Sequence, residues 1–218
     1  MHAWNVSLTH IDTEIMESST QSPTQSFSIT HQWDGSSIDH APIKVSLLRD
    51  PQDTSCLLLE TEAPFFNNPG RPQGEPGLPY DGLWEYEVVE AFFLGDGEKY
   101  LEVELCPHGQ HLVLLLNGVR KFYKTKLALD FQATINTDEG TWKGRAKIPL
   151  EYLPPGVKKF NAYAIHGSED DRTYEALYHV PKGQYANPDF HRLEYFRDID
   201  FTGLVSSNIA SKLWDNAI

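Results

Sequence analysis

The stretch from Trp84 to Asn117 constrains the fold more than any other part of the chain. Two alternating runs, 85–94 and 99–106, flank Gly95-Asp96-Gly97-Glu98. An Asp-Gly step between such runs is the strongest local signal for a β-hairpin. A two-residue turn at Asp96-Gly97 predicts the pairs Leu94 with Lys99, Phe92 with Leu101, Glu90 with Val103, and Val88 with Leu105. Those residues then share one face. Glu87, Val89, Ala91 and Phe93 share the other with Tyr100, Glu102, Glu104 and Cys106.

The two predicted faces differ in chemistry. The first is apolar except for Glu90. A lone buried carboxylate is costly, so Glu90 calls for a partner or a raised pKa. It is either a catalytic acid or base, or a structural carboxylate bonded to loop backbone or to an arginine. The structural role is the one expected. The second face sets Glu85, Glu87, Glu102 and Glu104 beside Val89, Phe93 and Tyr100. Carboxylates next to aromatics on an open sheet suit sugar hydroxyls, or a hard cation such as Ca²⁺. The alternative is an ordinary solvated face. Between Trp84 and Glu104 there are seven acids and one lysine, which is −6 of the chain's net −13. Such density is hard to hold without a compensating partner, which keeps Ca²⁺ as the one cofactor under consideration.

The rest of the chain repeats the pattern. Further strands are predicted at 27–33, 43–49, 55–62, 111–116, 120–126, 131–136, 141–148, 159–166 and 173–179. Their lengths and turn residues fit an antiparallel β-sandwich, and the βαβ alternation of a parallel fold is missing. Helical pattern is confined to one turn at 150–153, closed by Pro154-Pro155, and a short C-terminal helix at 207–214. The segment 64–82 holds five prolines and four glycines, so it is neither helix nor central strand. Its Phe65, Phe66, Leu78 and Tyr80 predict that it packs down. Residues 1–25 read as a flexible polar leader, 26–204 as the sandwich and 205–218 as a tail, part of it helical.

Charge and motifs exclude several functions. A net charge of −13 with no basic stripe argues against nucleic acid and anionic membrane surfaces. No apolar run approaches the ~20 residues of a membrane span. The first residues lack a basic segment followed by an apolar one, so the expected location is cytoplasmic or nuclear rather than secreted. Cys56 and Cys106 make no disulfide framework. Nine histidines occur without a CxxC or HExxH pattern, so no metal site is assigned. His166, Glu169, Arg172, Tyr174 and Glu175 form a polar cluster that is either a ligand-binding mouth of the sandwich or a charged hairpin loop. No phosphate-cradling loop, nucleophile elbow or dinucleotide fingerprint is present.

Two longer motifs carry a resemblance. Trp84-Glu85-Tyr86-Glu87-Val88-Val89-Glu90-Ala91-Phe92-Phe93, followed by Tyr100-Leu101-Glu102-Val103-Glu104-Leu105-Cys106-Pro107-His108-Gly109, resembles the central hairpin of family 9 carbohydrate-binding-module-like domains. Trp142 with Ile148-Pro149-Leu150 and Leu153, and the closing Pro188-Asp189-Phe190-His191-Arg192-Leu193-Glu194-Tyr195-Phe196, are similar to later motifs of that group. The chain looks closer still to an uncharacterised family of small intracellular proteins with this fold. The resemblance implies a jelly-roll or immunoglobulin-like sandwich, and a sugar held against tryptophan. Glu87 and Arg145 depart from the group's pattern. Together these readings predict a non-catalytic, carbohydrate-binding-like domain for a small sugar or polar ligand. The site residues are Trp84, Tyr80, Glu85, Glu87, Glu102, Glu104, His166, Arg172 and His191. The alternatives are a small enzyme on a sugar or polar metabolite, using Glu90, His166 or His191, and a protein-interaction domain. Oligomeric state is not encoded in any of these features.

Overall fold

A computed structural model describes residues 24–205 and 211–215. The leader reading falls almost wholly outside them. Thirteen strands follow in order: β1 (Thr24–Ile29), β2 (His31–Gln32), β3 (Ile43–Arg49), β4 (Cys56–Pro64), β5 (Val88–Leu94), β6 (Lys99–Leu105), β7 (His111–Asn117), β8 (Phe122–Lys124), β9 (Asp130–Asn136), β10 (Thr141–Pro149), β11 (Lys159–His166), β12 (Thr173–Ala176) and β13 (Arg197–Asp198). One sheet runs β1-β3-β4-β10-β9 and the other β2-β12-β11-β5-β6-β7-β8, with β13 added to the start of β11. All the paired strands are antiparallel. The β-sandwich expected from the turn spacing is the fold observed.

The two sheets bury different numbers of faces. Strand β10 alternates along its length: Trp142, Gly144, Ala146 and Ile148 turn inward while Lys143 and Arg145 meet solvent. The five-stranded sheet therefore has one wet face. Strand β5 is buried at every position. Its odd-numbered residues Val89, Ala91 and Phe93 join Leu101, Val103, Leu105, Trp142 and Phe160 between the sheets. Its even-numbered residues Val88, Phe92 and Leu94 lie on the outer face with Tyr100, Leu112, Leu114 and Leu116, beneath Leu83, Phe190, Leu193 and Phe196. The proline-rich loop and the segment after β12 thus form a third layer. Phe92 holds that layer edge-on through His191 and Phe196, each with ring centroids 5.7 Å away, and Phe190 stacks on Tyr163 at 4.0 Å.

The central hairpin differs from its sequence reading by one residue. Gly95 N–H donates to the Lys99 carbonyl at 2.9 Å, so the turn spans Asp96–Glu98 and Leu94 pairs with Tyr100. Left-handed backbone at Gly97 (φ 63°) and Glu98 (φ 58°) closes this longer turn. Two contacts hold it: Asp96 N–H donates to the Pro155 carbonyl at 2.8 Å, and Gly118 N–H to the Glu98 carbonyl at 3.0 Å. A Cβ at Gly95 would lie 2.2 Å from that Pro155 oxygen, which is why glycine stands there. A one-residue slip in a hairpin exchanges the faces of one strand relative to the other. Phe92 consequently faces Glu102, and Glu90 faces Glu104. The lone carboxylate of the sequence reading is one of three.

Other expectations are adjusted at the edges. Residues 83–85 form a 3₁₀ turn instead of opening β5. The turn at Leu150–Tyr152 is present as read. The C-terminal helix reduces, within the described residues, to a single 3₁₀ turn, Lys212–Trp214, capped by Ser211 Oγ accepting from Leu213 N–H at 3.2 Å. Trp214 is nevertheless buried in the inter-sheet core beside Tyr123. The proline-rich loop packs down through Phe65 and Tyr80, while Leu78 stays exposed. Cys56 and Cys106 are both free thiols.

Candidate functional site

Strand register builds the site. On the outer face of the eight-stranded sheet, β5 contributes Glu90 and β6 contributes Glu102 and Glu104. All three are almost completely buried. The acidic sheet face expected to be open is therefore covered, and the strip cannot act as a solvated patch. Burial raises each carboxyl. Desolvation pushes Glu90 up to about 8, against the opposing pull of Arg172. Glu102 and Glu104 are also raised well above the usual carboxylate range, first by desolvation and then by the charge of Glu90. Like charges directly opposite on paired strands repel, so Glu90 and Glu104 are held as acids. Glu90 finds no hydrogen-bond mate among the described residues, so burial gives it a raised pKa rather than the expected backbone or arginine bond. One Glu102 oxygen and both Glu104 oxygens are buried without a partner as well.

Above these acids opens a cavity of about 370 Å³, lined by Trp84, Glu90, Glu102, Leu114, Arg120, Phe122, Ile165, Tyr174, Pro188, Asp189, Phe190 and His191. Trp84 (38% exposed) and Phe122 (55% exposed) are the exposed aromatic members of this lining. Its charged wall is fixed by hydrogen bonds. Arg120 Nη2 donates to Asp189 Oδ1 at 2.8 Å, and the same oxygen accepts from His191 N–H at 2.9 Å. Arg120 N–H donates to the Tyr100 hydroxyl at 3.0 Å, and that hydroxyl lies 2.7 Å from His191 Nδ1. Desolvation, aided by Arg120, lowers His191 to about 4. The ring is then neutral at pH 7, with Nδ1 accepting from Tyr100 and the proton on Nε2.

Arg172 positions the tryptophan. Its guanidinium donates to the Trp84 carbonyl, to the Glu85 carbonyl at 3.1 Å, and to the Tyr174 hydroxyl at 2.9 Å. The 3₁₀ turn carrying Trp84 is thereby tied to β12. Of the residues named from sequence, Trp84, Glu90, Glu102 and His191 meet at this cavity, and Arg172 supports it. Glu104 lies in the same carboxyl row outside the lining. Glu85 is exposed and contributes its backbone. Tyr80 packs edge-on against Tyr86, with centroids 5.7 Å apart. Glu87 and His166 turn to the opposite face. Glu87 accepts from Phe66 N–H at 3.2 Å and Asn67 N–H at 2.7 Å. Burial still pushes it up to about 7, against those bonds. Arg120, Phe122 and Asp189 also line the cavity without being among the site residues named from sequence, and Tyr174 comes to it from the polar cluster at 166–175. Asp189 and Phe190 belong to the closing motif that carries His191, which is the sequence signal for them.

The β-sandwich fold is shared with a protein of known structure. A candidate carbohydrate-binding protein from Bacteroides uniformis superposes with a TM-score of 0.53 at 16% identity, covering 80% of this chain and 84% of its own. A family 9 carbohydrate-binding module from Caldicellulosiruptor kristjanssonii, solved with cellotriose, gives 0.46 at 10% identity, covering 79% and 77%. No protein-family model matches the chain. The human UPF0462 protein C4orf33 is 52% identical over 183 residues, covering 82% of this chain and 89% of its own. Its Danio rerio homolog is 48% identical over 198 residues, covering 88% and 98%. This chain belongs to the UPF0462 family.

Proposed function

We propose that this protein binds a small sugar, or a polyol of similar size, in the cavity beside Trp84. One observation carries the reading. Two buried carboxyls without protein partners, Glu90 and Glu102, line the same cavity as two exposed aromatic rings. A protonated carboxyl offers one donor and one acceptor, which matches a hydroxyl. Indole offers a broad apolar surface for a sugar-ring face at low entropic cost. Arg120 and Asp189 add a fixed donor and acceptor at the wall. The volume sits at the lower end of ligand pockets, which favours a monosaccharide over an extended chain.

The test is a calorimetric and thermal-shift screen of the full chain against monosaccharides and polyols. A ligand that prefers the native state raises the melting point. Trp84→Ala should abolish the response while leaving the far-ultraviolet spectrum unchanged. A panel that binds equally well to wild type and Trp84→Ala would sink this placement. The paired acids also favour a second reading, an acid-catalysed conversion of the same ligand class. Product formation that is lost in Glu90→Gln, with binding retained, would establish that reading over the first.

A further inference from the structure

Strands β11 and β12 carry chemistry on the face away from that cavity. Alternation along β11 and β12 sends Ile165 and Tyr174 toward the cavity, and His166 and Glu175 to the inter-sheet side. There His40, from the segment between β2 and β3, joins them. His40 Nε2 lies 2.7 Å and His166 Nε2 2.8 Å from the same oxygen, Glu175 Oε1. These three are the one group of histidine, cysteine or acidic donors among the described residues whose ligand atoms lie within 4.8 Å of one another. Glu175 is fully buried, and its second oxygen has no partner.

The hydrogen-bond count points to a cation. His40 Nδ1 lies 2.9 Å from the Ala41 carbonyl, which can only accept, so the proton of a neutral ring sits on Nδ1. Its Nε2 then turns a lone pair toward the Glu175 carboxylate at 2.7 Å. Such a contact is repulsive without a positive charge between the two atoms. A histidine whose Nδ1–H is held by a carbonyl is also the usual tautomer for a metal ligand through Nε2. The rings are held in place around the carboxylate. Phe66 stacks on His166 at 3.7 Å and 5°, and meets His40 edge-on at 5.0 Å. The bonds from Phe66 and Asn67 N–H to Glu87 fix that loop in turn. Both histidine side chains keep a little exposure, 14% and 13%, which leaves an entry path.

We propose that His40, His166 and Glu175 bind a first-row divalent transition metal, with Zn²⁺ as its probe. Two imidazoles and one carboxylate suit Zn²⁺ or its neighbours and not the all-oxygen shells of Ca²⁺ or Mg²⁺. Three protein ligands leave a coordination position for water or substrate. The site lies across the sheet from the sugar cavity and does not depend on it. The two share β11 and β12, with Tyr174 on β12 and Arg172 just before it.

The experiment titrates chelator-treated full-length protein with Co²⁺, read by visible absorption, and then displaces Co²⁺ with Zn²⁺. One equivalent is expected, with a d–d spectrum that Zn²⁺ removes, and a rise in melting temperature with Zn²⁺. His40→Gln and His166→Gln should each weaken binding at least about tenfold and leave the far-ultraviolet spectrum intact. Glu175→Gln is less informative alone, because a buried carboxyl is replaced. Wild type without a Co²⁺ spectrum or a Zn²⁺ response would overturn the proposal and leave a hydrogen-bonded His–Glu–His cluster. Equal affinity in the His40→Gln/His166→Gln double variant would overturn it too.

Discussion

Replacing Glu90 by Gln should stabilise this protein, and by an amount that depends on pH. Glu90 is 2% exposed and lies amid Val88, Phe92, Leu114 and Tyr163. Desolvation raises its carboxyl from an ordinary 4.5 to about 8. The folded state therefore holds this proton more tightly than the unfolded chain does. Its contribution is fully favourable below about pH 4.5, and is lost as pH rises from there to about 8. The slope in that window is at most about 1.4 kcal/mol per pH unit. Integrated to pH 7, the cost is about 3 kcal/mol. Gln has the shape of the protonated acid and cannot ionise, so it removes that cost. No hydrogen bond to Glu90 is lost in the exchange. The assay is urea denaturation of both proteins at several pH values from 4 to 8, followed by tryptophan fluorescence. The two should agree near pH 4, and Glu90→Gln should be more stable by about 3 kcal/mol at pH 7. A difference that does not vary with pH would refute the reasoning. So would a variant that is weakest at pH 7 to 8, because Glu90 would then be an ionised partner of Arg172.

Three further outcomes follow from burial. Trp84→Ala should cost about 1 kcal/mol or less, whereas Trp142→Ala, at 1% exposed in the inter-sheet core, should cost ~3–5 kcal/mol by chemical denaturation. Glu87→Ala should cost ~1–3 kcal/mol, because it leaves the Phe66 and Asn67 N–H groups without their acceptor, and faster backbone exchange at 65–68 would report it. Trp214→Ala should lower stability by ~3 kcal/mol or more, which a melting curve that matches wild type would contradict, since Trp214 is 2% exposed and packed into the inter-sheet core.

The sequence determined by itself what is local. Strand β3 begins and ends where alternation and turn residues put it, and β11 does as well. The antiparallel sandwich follows from many such short runs, and the motifs around Trp84 and His191 marked two walls of the cavity. Tertiary structure decided the face on which each acid of the central hairpin lies. Asp96-Gly97 promised a two-residue turn, but the Pro155 and Gly118 backbone, distant in sequence, selected a turn one residue longer. That single step moved Glu102 and Glu104 to the side of Glu90, and put Leu101, Val103 and Leu105 in the core. It also made a row of buried acids out of what read as one buried acid and an open acidic face. The third layer was equally unreadable, because nothing in the pattern of β5 says that the segment 190–196 returns to cover it. His40, His166 and Glu175 lie too far apart in sequence to form a motif. They meet because β12 pairs with β11 and because the segment between β2 and β3 brings His40 to Glu175, so their shared oxygen is a property of the fold alone.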